Sequence, residues 1–156
     1  MSQRSAVHDM FVIHRSLRHR PERVFAAWAS SAAKSQWFVG SPGWQAQERK
    51  LDFHVGGHER LVGRFPDGRV TAFDARYLEI QPGERIIYAY EMQLNDVRIS
   101  ISLATIEFKP QAQGTELVIT EQGTFLDGYS DAGRREQGTR VLVDQLERAL
   151  QGNAAP

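Results

Sequence analysis

Between Thr71 and Phe108, apolar and polar residues alternate with a period of two through three segments, Thr71–Glu79, Arg85–Leu94 and Val97–Phe108. Pro82-Gly83 and Asn95-Asp96 separate them and predict tight turns. Two-residue hairpins at both places fix the registers. Tyr77 then faces Tyr88, Ala75 faces Tyr90 and Phe73 faces Met92. Across the second turn Met92 faces Ile99, Tyr90 faces Ile101 and Tyr88 faces Leu103. Each pair matches apolar or aromatic with its like, while Asp74, Arg76, Glu91, Arg98, Ser100 and Ser102 fall on the other face. The pattern predicts a curved antiparallel sheet with an aromatic concave side.

The remaining chain supplies more strands and a cover. Residues 7 to 17 alternate around Phe11 and Ile13 and read as a first strand. Pro21-Glu22-Arg23 opens a helix carrying Val24, Phe25, Ala27 and Trp28, and a second short helix follows Ser30-Ser31 to about Trp37. Trp44–Val55 and His58–Phe65 are extended, with Gly56-Gly57 between them, and Pro66-Asp67-Gly68 is a turn. Thr115–Gln122 is the last strand and Gly123–Gly133 a loop. Val141, Leu142, Leu146, Ala149 and Leu150 mark an amphipathic helix from about Arg134 to Leu150. A sheet with one apolar face needs covering, and this helix is the element long enough to do it. The expected fold is α+β, a helix-grip arrangement of six to seven antiparallel strands curled around a C-terminal helix. One domain spans 1–156, with a flexible tail from about 151.

Composition narrows the function. Nineteen basic and nineteen acidic residues give zero net charge, which argues against a dedicated nucleic-acid binder. The absence of cysteine removes disulfides, thiolate nucleophiles and cysteine-ligated metals. No stretch approaches the roughly 20 apolar residues of a membrane span, and no apolar signal region follows Met1, so a cytoplasmic location is expected.

Six phrases carry a resemblance: Pro21-Glu22-Arg23-Val24-Phe25-Ala26-Ala27-Trp28, Trp37-Phe38, Asp52-Phe53-His54-Val55-Gly56-Gly57, Pro82-Gly83-Glu84-Arg85-Ile86, Gly114-Thr115-Glu116-Leu117 and Thr120-Glu121-Gln122-Gly123. In this order, over nearly the whole chain, they resemble the SRPBCC (START-like, pollen-allergen-like) superfamily, in the branch named after the activator of the heat-shock chaperone ATPase. The resemblance implies the helix-grip fold and a cavity between sheet and helix. It also implies a role among carriers of small hydrophobic molecules, polyketide cyclases or co-chaperones. Many relatives place glycine-tryptophan at the start of the last helix; here Thr139 follows Gly138, so the ring is missing. The eukaryotic co-chaperones add a separate N-terminal chaperone-binding domain, which 156 residues are not expected to hold.

The expected cavity lining is Trp37, Trp44, Phe53, Phe73, Tyr77, Tyr88, Tyr90, Met92, Ile99, Ile101, Leu103, Ile119, Glu121, Phe125, Tyr129, Leu142 and Leu146. Glu121 shares a strand face with Leu117 and Ile119. Pointed inward beside Tyr90, it is an acid–base candidate, because an apolar surround favours the neutral carboxyl; at the rim it is merely solvated. The tyrosines either orient a ligand or simply pack. Trp37 and Trp44 flank the loop Val39–Gly43, one candidate gate. Phe125–Asp131 is another, with Phe125 and Tyr129 as lids and Gly128 and Gly133 as hinges. Asp74, Arg76 and Glu91 form an exposed charge cluster or a partner patch.

Other chemistries are not expected. His54 and His58 are four apart but straddle a turn, with no third ligand nearby, so no metal is predicted. Gly56-Gly57 lacks the following lysine of a phosphate loop, and Gly40-Ser41-Pro42 lacks the setting of a nucleophile elbow. No cofactor is expected. The leading expectation is a binder of a small hydrophobic or aromatic molecule. The alternatives are a cyclase- or hydrolase-like enzyme using Glu121 with Tyr90, and a chaperone-associated module. Monomer and homodimer are both left open.

Overall fold

The structure is a computed structural model that describes residues 4–129 and 132–152. The end of the expected Phe125–Asp131 gate and most of the tail lie outside the described residues. Seven strands form one antiparallel sheet: β1 (Ala6–Leu17), β2 (Gln45–Leu51), β3 (His58–Arg64), β4 (Val70–Gln81), β5 (Arg85–Leu94), β6 (Val97–Gln111) and β7 (Gly114–Leu126). Their order across the sheet is β1-β7-β6-β5-β4-β3-β2. Helices α1 (Pro21–Ala26) and α2 (Ser31–Lys34) follow β1, and α3 (Ala132–Gly152) closes the chain. This is the helix-grip arrangement expected.

Local chemistry explains the short helices. Pro21, with φ fixed and no N–H to satisfy, occupies the first turn of α1. The Ser30 hydroxyl accepts from the Ala33 N–H at 3.1 Å and caps α2. Helix α3 is held at several points. Arg15 of β1 donates to Glu147 and pairs with Asp144, each at 2.9 Å. Gln145 donates to the Trp37 carbonyl at 2.7 Å, and Arg23 donates to the Leu150 carbonyl at 2.8 Å. The last contact places a cation where the final helical carbonyls lack partners. Val143, Leu146 and Leu150 of α3 are buried on the core with Ile13, Leu17, Val24 and Ile119.

The first expected hairpin is present: Tyr77–Tyr88, Ala75–Tyr90 and Phe73–Met92 are paired. Its turn is one residue longer than expected, since Gln81 pairs with Arg85, and a bulge between Tyr77 and Glu79 restores the register. The second hairpin corrects the sequence reading. Asn95 and Asp96 both have positive φ, and Leu94–Val97 and Gln93–Arg98 pair as a two-residue turn requires. A bulge at Ile99, between the Gln93–Arg98 and Met92–Ser100 pairs, then shifts the ladder by one, so Met92 faces Ser100, Tyr90 faces Ser102 and Tyr88 faces Ala104. A one-residue shift exchanges the two faces. Ile99, Ile101 and Leu103 therefore point away from the helix, and Ile101 is 45% exposed. Ser100 and Ser102, expected outside, are buried inside. The shift brings Ala104, Ile106 and Phe108, all nearly inaccessible, onto the core face.

Three smaller corrections concern the expected gates. β7 runs to Leu126, so Phe125 is a buried strand residue and not a loop lid. Gly133 lies within α3 and is not a loop hinge. Trp37 is core: its ring packs against Trp28 at 4.8 Å and its N–H donates to the Ala27 carbonyl. Trp44 lies over β3, where a Cβ on Gly63 would sit 2.0 Å from the indole. Only glycine allows that approach.

Candidate functional site

A continuous aromatic band crosses the inner face of β4 and β5. Ring centroids are 5.6 Å apart for Tyr77–Tyr88, 5.8 Å for Tyr88–Tyr90 and 5.0 Å for Phe73–Tyr90. Each end of the band terminates in a buried carboxylate, a phenol and a cation.

At one end β7 directs Glu121 inward in the same phase as Leu117 and Ile119, and it is 6% exposed. The Tyr90 hydroxyl donates to Glu121 Oε1. Arg135, in the first turns of α3, donates to the Tyr90 hydroxyl at 3.1 Å and to the Ser100 hydroxyl at 2.9 Å. Its guanidinium also lies 5.1 Å from the Phe125 ring centroid. Burial pushes the Glu121 carboxyl above its ordinary value, while Tyr90, the Arg135 charge and the Thr139 hydroxyl act the other way. Burial and then the Glu121 charge push the Tyr90 phenol up. A crevice lined by Asp9, Phe11, Ser102, Glu121, Gly123, Phe125 and Arg135 reaches this cluster. Its volume is about 10 Å³, room for about one water.

At the other end Lys34 of α2 donates to Glu59 Oε1 at 2.6 Å, and Tyr77 donates to the same oxygen at 2.6 Å. Lys34, Glu59 and Tyr77 are 1%, 2% and 0% exposed. Phe38 lies 4.4 Å from the ammonium, with Phe73 and Tyr88 at 5.7 Å. Burial pulls the Lys34 amine down, and Glu59 opposes it. Burial first, and then Glu59, raise the Tyr77 phenol. Glu59 Oε2 and Arg49 Nη1 are buried without a hydrogen-bond partner among the described residues. Arg49 Nη2 donates to the Phe38 carbonyl at 2.8 Å, which ties the loop after α2 to β2. Tyr88 lies between the clusters, and burial and the charges of both Glu121 and Glu59 raise its phenol.

Phe73, Tyr77, Tyr88, Tyr90, Ile119, Glu121, Phe125 and Leu146 are thus brought together on the buried side. Phe53, Met92 and Leu142 pack half-buried against them. Tyr129 is 41% exposed, and Ile99, Ile101 and Leu103 are on the far side of the sheet. The expected hollow around Leu142 and Leu146 is occupied, since Leu146 is fully buried and Leu142 packs on the core. His54 pairs with Asp52 at 2.6 Å, and among the described residues no three metal-ligating side chains converge. Sequence reasoning missed Lys34, Glu59, Arg49 and Arg135. Arg135 had a readable signal: it lies 4, 7 and 11 residues before Thr139, Leu142 and Leu146, on one helical face.

The profile of the AHSA1 family, described as Activator of Hsp90 ATPase homolog 1-like protein, matches residues 18–151. A structure of a putative uncharacterized protein from Rhizobium leguminosarum is 49% identical, with a TM-score of 0.91, and the match covers 96% of this chain and 98% of that one. Mll3558 from Rhizobium loti is 38% identical, with a TM-score of 0.87 and coverage of 94% and 99%. The AHSA1-like protein from Aeromonas hydrophila, at 16% identity and a TM-score of 0.68, covers 92% and 93% and shares the fold. No curated protein matches the chain.

Proposed function

We propose that this chain, which belongs to the AHSA1 family, binds a small apolar molecule at the Tyr90–Glu121–Arg135 end of its interior. The observation that carries the reading is a buried carboxylate whose crevice to the surface is capped by a cation from a separate element. If Arg135 swings outward with the start of α3, the Tyr90 and Ser100 hydroxyls and the Glu121 carboxyl are left converging on one space. A ligand with an apolar body and one hydroxyl or carbonyl replaces the bonds Arg135 gives up, while Phe11, Tyr90 and Phe125 contact its body. The present volume is too small, so binding selects an opened state.

Native mass spectrometry tests this against the denatured mass. An extra dissociable small mass, lost in Tyr90→Trp, supports the site. Ile101→Trp, on the opposite face, leaves it in place. A bare protein mass, or an adduct retained in Tyr90→Trp, counts against the site.

The raised Glu121 carboxyl, bonded to a phenol, favours a second reading. An acid–base pair of this kind suits a cyclase- or hydrolase-like reaction. In that case Glu121→Gln binds the ligand and abolishes turnover; turnover that survives the change removes the reading. The family description supports a third, chaperone-associated reading, and an unchanged chaperone ATPase rate would end it. No helix among the described residues is long and apolar enough to cross a membrane. A cytoplasmic location belongs to the same proposal.

A further inference from the structure

The Arg135 guanidinium fills the space that the proposed opening vacates, and its surroundings are those of a cation site. It donates to two hydroxyl oxygens, of Tyr90 at 3.1 Å and of Ser100 at 2.9 Å. Its central carbon lies 5.7 Å from the Tyr90 ring centroid and 5.1 Å from that of Phe125, both within cation–π range. Glu121, bonded to Tyr90, is the buried acid behind these groups. Gly123 leaves the floor open, since a Cβ there would stand 3.0 Å from Ser102 Oγ and 3.3 Å from the Phe125 ring.

The charged residues that line the crevice are Asp9, Glu121 and Arg135, two acids and one base. Asp9 accepts from the Met10 N–H at 2.7 Å, and among the described residues no cation is within salt-bridge distance of it. The nearest arginines along the chain have carboxylates of their own: Arg4 is matched by Asp127, and Arg15 by Asp144 and Glu147. When Arg135 leaves, the lining keeps both acids and holds no cation. An anionic head would meet both carboxyl groups. A neutral head replaces the hydrogen bonds that Arg135 made but not its charge. A cationic head replaces both, and restores the charge that favours the ionised form of Glu121.

Resting on the interior site proposed above, we infer that its ligand is an amphipathic amine. The protonated nitrogen takes the place of the guanidinium among Tyr90, Ser100, Glu121 and Phe125. The flat apolar body lies against Phe11 over Gly123. Such a molecule binds more tightly than one of the same shape with a hydroxyl head.

The test is isothermal titration of the full chain with three probes that share one ring system, 1-naphthylmethylamine, 1-naphthylmethanol and 1-naphthoate. The amine is expected to bind about tenfold more tightly than the alcohol, the margin of a charge-assisted over a neutral hydrogen bond, and the carboxylate most weakly. Glu121→Gln keeps an acceptor for Tyr90 and removes the charge, and the amine's advantage should fall to about twofold or less. Asp9→Asn, at an exposed position, should cut it by a smaller factor. Arg135→Met removes the resident cation, so the amine binds this variant several-fold more tightly than the natural chain. An alcohol as tight as the amine, a carboxylate tighter than either, or an advantage that survives both acid replacements overturns the inference. The interior site still stands in that case if Tyr90→Trp abolishes the binding. If neither the natural chain nor Arg135→Met binds any of the three, the site falls with the inference.

Discussion

The two ends of the aromatic band use the same three chemical groups and differ in how they are held. At Lys34–Glu59–Tyr77 the cation sits on a four-residue helix pressed into the core, and all three side chains are nearly inaccessible. At Arg135–Glu121–Tyr90 the cation comes from the start of α3, is only half-buried, and stands over a crevice. The first cluster is locked: losing any member strands a charge or a phenol in the interior. The second is open to the surface crevice, and in the proposed function it exchanges its cation for a ligand. The same chemistry therefore anchors the fold at one end and, in the proposed function, makes a site at the other, with access deciding which.

The sharpest contrast lies in the cations. Lys34→Met leaves Glu59 buried and unpaired and is expected to cost about 3–5 kcal/mol in denaturant unfolding. Arg135→Met costs about 1–2 kcal/mol, because Tyr90 and Thr139 still bond Glu121. Equal losses would erase the distinction between the ends.

The phenols come next. Tyr77→Phe removes a donor from Glu59, whose second oxygen already lacks a partner, and should cost about 1–3 kcal/mol. Tyr90→Phe is expected to cost less, about 1 kcal/mol, since Arg135 is close to Glu121. The reverse order would place the rigid anchor at the wrong end.

The pH dependence follows from the raised Glu121 carboxyl. Between its ordinary value of 4.5 and the raised folded value, the native state holds more protons than the unfolded one. This group's contribution to stability is then most favourable in acid and falls as pH rises through that window. Glu121→Gln removes the effect and keeps an acceptor for Tyr90. The variant should therefore gain on the natural chain from pH 4.5 toward neutrality in unfolding measured at a series of pH values. A gap that is constant, or that shrinks with pH, would contradict a carboxylate made costly by burial. The smallest expected effect is on the exposed face: Arg98→Ala breaks the pair with Glu91 and should change stability by less than about 0.5 kcal/mol.

The sequence made one side of the aromatic face legible and misplaced the other. β4 and β5 each keep a single alternation, and their pairing follows from it. β6 changes phase within itself: Ile99, Ile101 and Leu103 occupy odd positions, and Ala104, Ile106 and Phe108 even ones. Both runs cannot face the core on a straight ladder. The bulge favours the second, which carries Phe108 into contact with Phe25 and Trp28. It also turns Ser100 inward, where it receives Arg135. Reading from the turn outward follows the wrong run. Glu121 beside Tyr90 was legible because it continues the face of Leu117 and Ile119. Glu59 and Lys34 were not. A charged residue gives no local sign that its partner, 25 positions away, is buried with it.

The most direct test of the open end is amide chemical-shift mapping of the ¹⁵N-labelled chain with N-phenyl-1-naphthylamine, an apolar probe without charge. The account predicts saturable shifts concentrated at Ser100, Ser102, residues 121–125 and 133–139, with residues around Lys34, Glu59 and Tyr77 unmoved. Shifts centred on the Lys34–Glu59 end, or no saturable shift at Glu121 and Arg135, would contradict it.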